Sequence, residues 1–369
     1  MSQTAPVGPA GEDDGFRRAL ADYLADEVLV DWSGVQIDAL DRSTGGLSWE
    51  TFVVEVVERG HLNRRRKLVV KRPPLEGPLA PYDLTKQGVL VRALRDSAVP
   101  VAPVLGFTSE PAVAGRQVEV MQYVEGEIPD LRSIEAWPAW KDPSRRSLVG
   151  QRVLEVLAQV QAFDWRQPQV EAVLAGGRSV VDHVGTVIDR LMDKVDANFA
   201  RRWAPDPLVR DVWLWLHDNI PAIDDRELVV VHGDFRIGNF IWKGDEVAAL
   251  LDWERATLGD PMHDLGFFCM PMARQRHPEL MGMLLSVDQL VDGYEKATDR
   301  AVDLRRLHYY LIYWQFVEVA QVLNAIVYLI ERAPPNDMTS LNSYSLISSG
   351  TIDLVDLIER FEDGDHALI

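Results

Sequence analysis

The chain has 369 residues, 47% of them hydrophobic and 26% charged, enough apolar material for two separately packed lobes of a globular protein. A formal net charge of −19 argues against nucleic acid or an anionic membrane surface as a main partner; it mildly favours a cationic small molecule, and keeping the protein in solution accounts for it equally well. The one cysteine, Cys269, rules out an internal disulfide, fits a reducing cytoplasm and, inside the apolar run FFCMP, reads as a buried, inert thiol.

Residues 1–15 combine Pro, Gly, Glu and Asp with no basic start and no apolar stretch, which predicts a disordered leader rather than a secretory signal. Apolar spacing at helical period follows over 16–30. Three runs of strand type, at 35–41, 51–57 and 67–71, are separated by Gly-containing turns and predict an antiparallel meander. A helical segment over 83–97 ends before Pro100, and two further strand-like runs, 101–107 and 117–124, complete a small sheet. Beyond Gly126 long helical patterns dominate: 145–163, 179–198, 207–220, 286–297, 302–332 and 340–362. The longest apolar stretch, near 309–330, is broken by Gln315, Glu318, Gln321 and Asn324, so it does not read as a membrane span. The exception to the helices is 228–252, read as strand ends, loops and a hairpin turning at 243–245, where chemistry is commonly placed. The expected fold class is therefore α+β. A small antiparallel-sheet lobe over 16–124 carries one main helix, and a larger, mostly helical lobe covers 125–369, with a cleft between them.

The chemistry-bearing signal is HGDFRIGN, His232 to Asn239, followed by LLDWE, Leu250 to Glu254. Phosphoryl transfer needs a metal between phosphates, a carboxylate beside the attacking hydroxyl and positive charge on the transferring oxygens. Asp234 is the candidate for the substrate proton. Asn239, five residues on, and Asp252, thirteen residues later across the hairpin, supply the hard oxygens that suit magnesium.

This spacing resembles the protein-kinase catalytic loop and metal-binding Asp, and still more closely the aminoglycoside phosphotransferase and choline kinase group, whose loop runs H-G-D-x-x-x-x-N before an [IL]-D-[WF]-E segment. The stretch LDWERATLGDPMHDLGFF matches that group through Asp252, Trp253, Glu254, Gly259, Asp260, Pro261, Asp264 and Leu265. It also looks like the kinase-like domain fused to some acyl-CoA dehydrogenases and its actinobacterial stand-alone homologues. The resemblance implies a protein-kinase-like two-lobed fold, ATP (or GTP) with Mg2+ as cofactors, and a monomer or homodimer. It places Arg236 where a γ-phosphate contact is made, with a loop-bracing Arg as the alternative. His232 reads as a structural brace, and Asp260 and Asp264 as residues that cap a helix near Met262 and lock the loop.

In the small lobe STGGLS resembles the phosphate-covering loop of that family, with Gly45, Gly46 and Ser48 offering backbone amides. Lys71 ends an apolar strand and is the candidate for the α- and β-phosphates. Relatives carry a Glu on the next helix to pair with this Lys; here Gln87 stands in that place, and Asp83, a turn earlier, is a possible substitute charge. VEVMQYVEG resembles the hinge, with Met121 behind the adenine and the carbonyl of Gln122 and amide of Val124 on its edge. No P-loop, dinucleotide fingerprint, H-E-x-x-H or G-x-S-x-G motif is present. About a dozen residues separate Asp252 from Asp264 with no A-P-E block, which favours a small acceptor over a peptide. The expected activity is an ATP- and Mg-dependent phosphotransferase acting on a small-molecule hydroxyl, such as an aminoglycoside, a choline-like alcohol or a hydroxyacyl thioester. A nucleotide-binding regulatory module without turnover is the alternative that Gln87 raises. The Tyr- and Trp-rich run after His308 reads as core by its helical spacing; were it exposed to the cleft, Glu318 could hold an amine.

Overall fold

Alternating apolar residues make Phe52, Val54 and Val56 point to one side of their strand, and a core forms wherever such rows meet. In a computed structural model the chain is described over residues 10–43, 49–74, 84–174, 180–199, 207–274, 276–332 and 338–368. It divides into two compact units, one running to Gly126 and including Ala248–Glu254, the other formed by Glu127–Val247 with Arg255 onward.

The first unit opens with α1 (Ala10–Tyr23), which runs on through a wider turn at Leu24–Val28. The helix thus starts inside the stretch expected to be a disordered leader; residues 1–9 of that leader lie outside the described residues. The reason is visible further along the same helix: Phe16, Leu20 and Leu24 are buried on one face, and packing of that face fixes the turns before it. The sheet is built from β1 (Val35–Arg42), β2 (Glu50–Glu58) and β3 (His61–Arg72), then, after α2 (Leu84–Leu94), from β4 (Val104–Phe107) and β5 (Glu119–Gln122). The strand order is β1-β2-β3-β5-β4, antiparallel throughout. Phe16 meets Phe52 across the core at 5.6 Å between ring centroids, and the Arg72 guanidinium lies 4.1 Å over the Phe16 ring.

Strand register and one glycine set the surroundings of Lys71. In the β3–β5 ladder Lys71 stands directly opposite Glu119, and in the β5–β4 ladder Glu119 stands opposite Phe107. α2 approaches this part of the sheet closely because of Gly88: a Cβ there would fall 2.5 Å from the Phe107 ring.

In the second unit come α3 (Pro138–Lys141), α4 (Pro143–Gln161), α5 (Pro168–Leu174), α6 (Val180–Phe199) and α7 (Pro207–Asp218), then β6 (Val229–Val231) and β7 (Phe240–Lys243). A turn with Gly244 leads from β7 into β8 (Glu246–Leu250), where the chain crosses from one unit to the other. β9 (Thr257–Gly259) pairs antiparallel with β6, and α8 (Met262–Cys269), α9 (Pro271–Arg274), α10 (Val287–Thr298), α11 (Leu304–Arg332) and α12 (Met338–Glu362) complete the unit. The core helix is α11, which packs against α6, α7, α8 and α12. Its aromatic stripe, Tyr309, Tyr310, Tyr313, Trp314 and Phe316, is buried and forms core. Gln161 ties the end of α4 to the segment before α8, donating to the Pro261 carbonyl at 2.8 Å and accepting from the Tyr294 hydroxyl at 3.0 Å. Cys269 is buried, and burial pushes its thiol up to about 12, so it is inert.

Gly88→Val should lower stability by about 1–3 kcal/mol through overpacking against Phe107. Urea unfolding is expected to show a lower midpoint at unchanged slope; an unshifted midpoint would contradict this packing.

Candidate active site

In the second unit the catalytic-loop motif begins where β6 ends. The short β6–β9 pair aligns Val229 with Gly259 and Val231 with Thr257, so the loop leaves its strand beside the chain that leads into α8. Asp264, in the first turn of α8, takes the backbone N–H of His232 at 2.7 Å and of Gly233 at 2.8 Å. Two amides that would otherwise be buried without partners are thereby satisfied, and the loop is fixed to the helix. Burial pushes the Asp264 carboxyl up to about 7, against the downward pull of those two N–H groups. Asp260 accepts from the Met262 N–H at 2.8 Å and lies 3.4 Å from Arg306, and burial raises its carboxyl to about 6. The two acids act as a helix-start acceptor and a loop lock.

Gly233 sits at φ +82°, and a Cβ there would come within 2.6 Å of the Arg255 carbonyl oxygen, so only glycine lets the loop pass this backbone. Next, the Asp234 N–H donates to Nδ1 of the buried His232 at 3.2 Å, which makes His232 a brace. The Asp234 carboxylate is held from two sides: Nδ2 of Asn239 donates to its Oδ2 at 2.8 Å and Nε of Arg236 to its Oδ1 at 3.0 Å. Asn239 Nδ2 also bonds the Asp234 carbonyl at 2.8 Å. Both of these bonds use the amide nitrogen, so the carbonyl Oδ1 of Asn239 is the atom suited to a cation. Arg236 remains half in solvent and spends its Nε on Asp234.

In the first unit the second motif is anchored before and after Asp252. The Leu250 N–H donates to the Pro100 carbonyl at 2.8 Å, and buried Trp253 donates back to the Leu250 carbonyl at 3.1 Å. Asp252 itself has φ +64°, a left-handed backbone that costs a non-glycine residue free energy and concentrates at functional positions. Its carboxylate forms an ion pair with Lys71, whose side chain is only 8% exposed. Burial pulls the Lys71 ammonium down; the charges of Asp252 and Glu119 outweigh it, and the net shift is upward. Glu119 is fully buried and accepts from the Gln87 side chain, and burial pushes its carboxyl up to about 7 against the pull of Lys71. Glu254 accepts from the Trp49 indole, which gives it a structural partner.

Gly45, Gly46 and Ser48, and with them the expected phosphate loop, lie outside the described residues, as does Asp83. Met121 is buried on β5 and aligned with Val69, Gln122 ends the strand with an exposed side chain, and Val124 comes after the ladder has ended. Glu318, the candidate amine holder, is already taken: Nη1 of Arg255 donates to it at 3.0 Å and neutralises its charge. Glu119 is a site residue that the sequence motifs do not reveal. The signal was there in a carboxylate flanked by Val118 and Val120, a run buried on both sides, where a charge requires a partner.

The sequence profile of the phosphotransferase enzyme family matches residues 45–301, and the chain belongs to that family. Among curated proteins it is 29% identical over 263 residues to IBR3 of Arabidopsis thaliana, named as an acyl-CoA dehydrogenase. That match covers 68% of this chain but 29% of the relative, so the chain spans less than a third of that protein's length. Among solved structures, a chain from Ralstonia eutropha assigned to the aminoglycoside phosphotransferases superposes with a TM-score of 0.69 at 19% identity, covering 93% of this chain and 98% of that one. A spectinomycin phosphotransferase in complex with ADP and spectinomycin matches with a TM-score of 0.53 at 11% identity, covering 92% and 98%. The fold is that of the aminoglycoside phosphotransferases.

Because the folded Asp264 carboxyl keeps its proton to about pH 7 while the unfolded one releases it near 3.8, its contribution to stability is complete at low pH. It is lost as pH rises through about 7. The stability advantage of wild type over Asp264→Asn should therefore shrink between roughly pH 4 and pH 7 in urea titrations. A constant difference would contradict the raised value.

Proposed function

We propose that the chain transfers the γ-phosphoryl group of ATP, bound with Mg2+, to a hydroxyl of a small molecule. The observation that supports this most is the treatment of Asp234: one carboxylate oxygen fixed by Asn239, the other by Arg236, on a loop locked by Asp264. A carboxylate restrained in this way is suited to orient an acceptor hydroxyl and take its proton. Asn239 through Oδ1 and Asp252 through its carboxylate are the residues proposed to hold the metal, a hard-oxygen pair that suits magnesium completed by phosphates and water. Bound magnesium supplies charge neutralisation on the phosphate oxygens.

Among the described residues no group of three or more His, Cys, Asp or Glu is placed to hold a metal by itself, which is compatible with an ion that arrives on its nucleotide. Lys71 contributes a buried, charged ammonium for the phosphates, and Arg236 a second cation beside Asp234. The backbone of Gln122 and Val124 at the end of β5, with Met121 behind, is proposed to take the adenine. Gly45, Gly46 and Ser48 are proposed to cover the phosphates. No helix among the described residues is long and apolar enough to cross a membrane, and we place the activity in the cytoplasm on the strength of its nucleotide donor.

The acceptor is a small alcohol. Similarity to a relative named as an acyl-CoA dehydrogenase favours a hydroxyacyl thioester within that class, while the fold neighbour holding spectinomycin favours an amino sugar. Magnesium-dependent ATP consumption, measured over a panel containing an amino sugar, a choline-like alcohol and a hydroxyacyl thioester, decides between them. Asp234→Ala and Asp252→Ala should each reduce kcat by about 100-fold or more. Equal turnover by wild type and Asp234→Ala would rule out the role given to that carboxylate.

A further inference from the structure

A charged amine on a buried strand needs a carboxylate at every stage of a catalytic cycle. For Lys71 the two foremost are Asp252, with which it pairs directly, and Glu119, whose charge acts on it. If Asp252 turns to a metal, the largest carboxylate charge left acting on Lys71, ahead of Glu254, is that of Glu119. Register makes that residue well placed. Lys71 on β3 and Glu119 on β5 are directly opposed in an antiparallel ladder, so their side chains rise on the same face with Cβ atoms about 5 Å apart.

Glu119 is itself fixed from the helix. Gln87 of α2 donates its amide to Glu119 Oε2, and Gly88 beside it lets α2 come close enough for that bond by removing the Cβ that would strike Phe107. Phe107 is the other ladder neighbour of Glu119, so helix, strand and carboxylate meet at one point. The second carboxylate oxygen, Oε1, has no hydrogen-bond partner among the described residues and is available to an ammonium. The helix position that would otherwise carry an acid holds an amide, and the strand opposite the lysine holds the acid.

We propose that Glu119, held by Gln87, is the positioning residue that keeps the Lys71 ammonium in place for the phosphates of a nucleotide while Asp252 serves the metal. The proposal rests on the phosphotransferase reading of the site. It also removes the reason for suspecting a non-catalytic module, since the carboxylate missing from α2 is present on β5.

Calorimetric titration with Mg–ATP needs no knowledge of the acceptor and tests this directly. Glu119→Gln should weaken Mg–ATP binding by about tenfold or more while the protein melts near the wild-type temperature. The exchanged pair Gln87→Glu with Glu119→Gln, which returns the acid to the helix, should recover most of that loss. A purely structural Glu119 would shift melting and leave affinity alone. Wild-type affinity in Glu119→Gln, or a loss that the exchanged pair shares in full, overturns the proposal and leaves the phosphotransferase reading standing. Should Glu119→Gln fail to fold, Glu119→Asp keeps the charge and withdraws it by one methylene. A loss of roughly threefold or more there supports the proposal, and unchanged affinity overturns it. Absence of Mg–ATP binding by the wild-type protein would remove both the proposal and the function on which it rests.

Discussion

The buried ammonium of Lys71 sets the terms for the first unit of this protein. Taking such a charge out of water is costly unless carboxylates stand close by, and here one comes from a neighbouring strand and one from the segment after β8. Supplying the latter requires Asp252 to adopt a left-handed backbone, with Leu250 tied to Pro100 before it and the Trp253 ring buried after it. A strained residue held from both sides is a mark of a position selected for what its side chain does.

The catalytic loop obeys the same logic with different groups. Its backbone amides are collected by Asp264, its turn is possible because Gly233 can pass the Arg255 carbonyl, and its one candidate base is immobilised by an amide and a guanidinium. These supports limit the orientations open to the Asp234 carboxylate, and pre-set orientation is where much of the barrier reduction in phosphoryl transfer originates.

Much of the fold could be read from the chain because its patterns are strong. The apolar, β-branched run of β2 and helical spacing in α4, α10 and α11 leave few alternatives, and their ends fall within a few residues of those expected. β6 and β9 were harder, since three-residue strands carry no period. The start of α1 is not legible either, because residues 10–15 carry no apolar spacing of their own and precede the buried face that begins at Phe16. At the site, residue types and spacing are legible in the chain and their partners are not. Nothing in the spacing says that Gln87 would bond Glu119, because that contact depends on strand register and on the closeness of α2 to Phe107. Glu318 shows the converse: its type suits an amine, and a long-range contact with Arg255 occupies it.

The central claim is that Lys71 and Asp252 pair with one another because each awaits a different part of the same ligand. A crystal structure with Mg2+ and a non-hydrolysable ATP analogue tests it most directly. The claim requires Asp252 to have left Lys71 and to ligate the metal, with the Lys71 ammonium on the phosphates. A nucleotide bound with the Lys71–Asp252 pair intact and the metal held by other residues would contradict it.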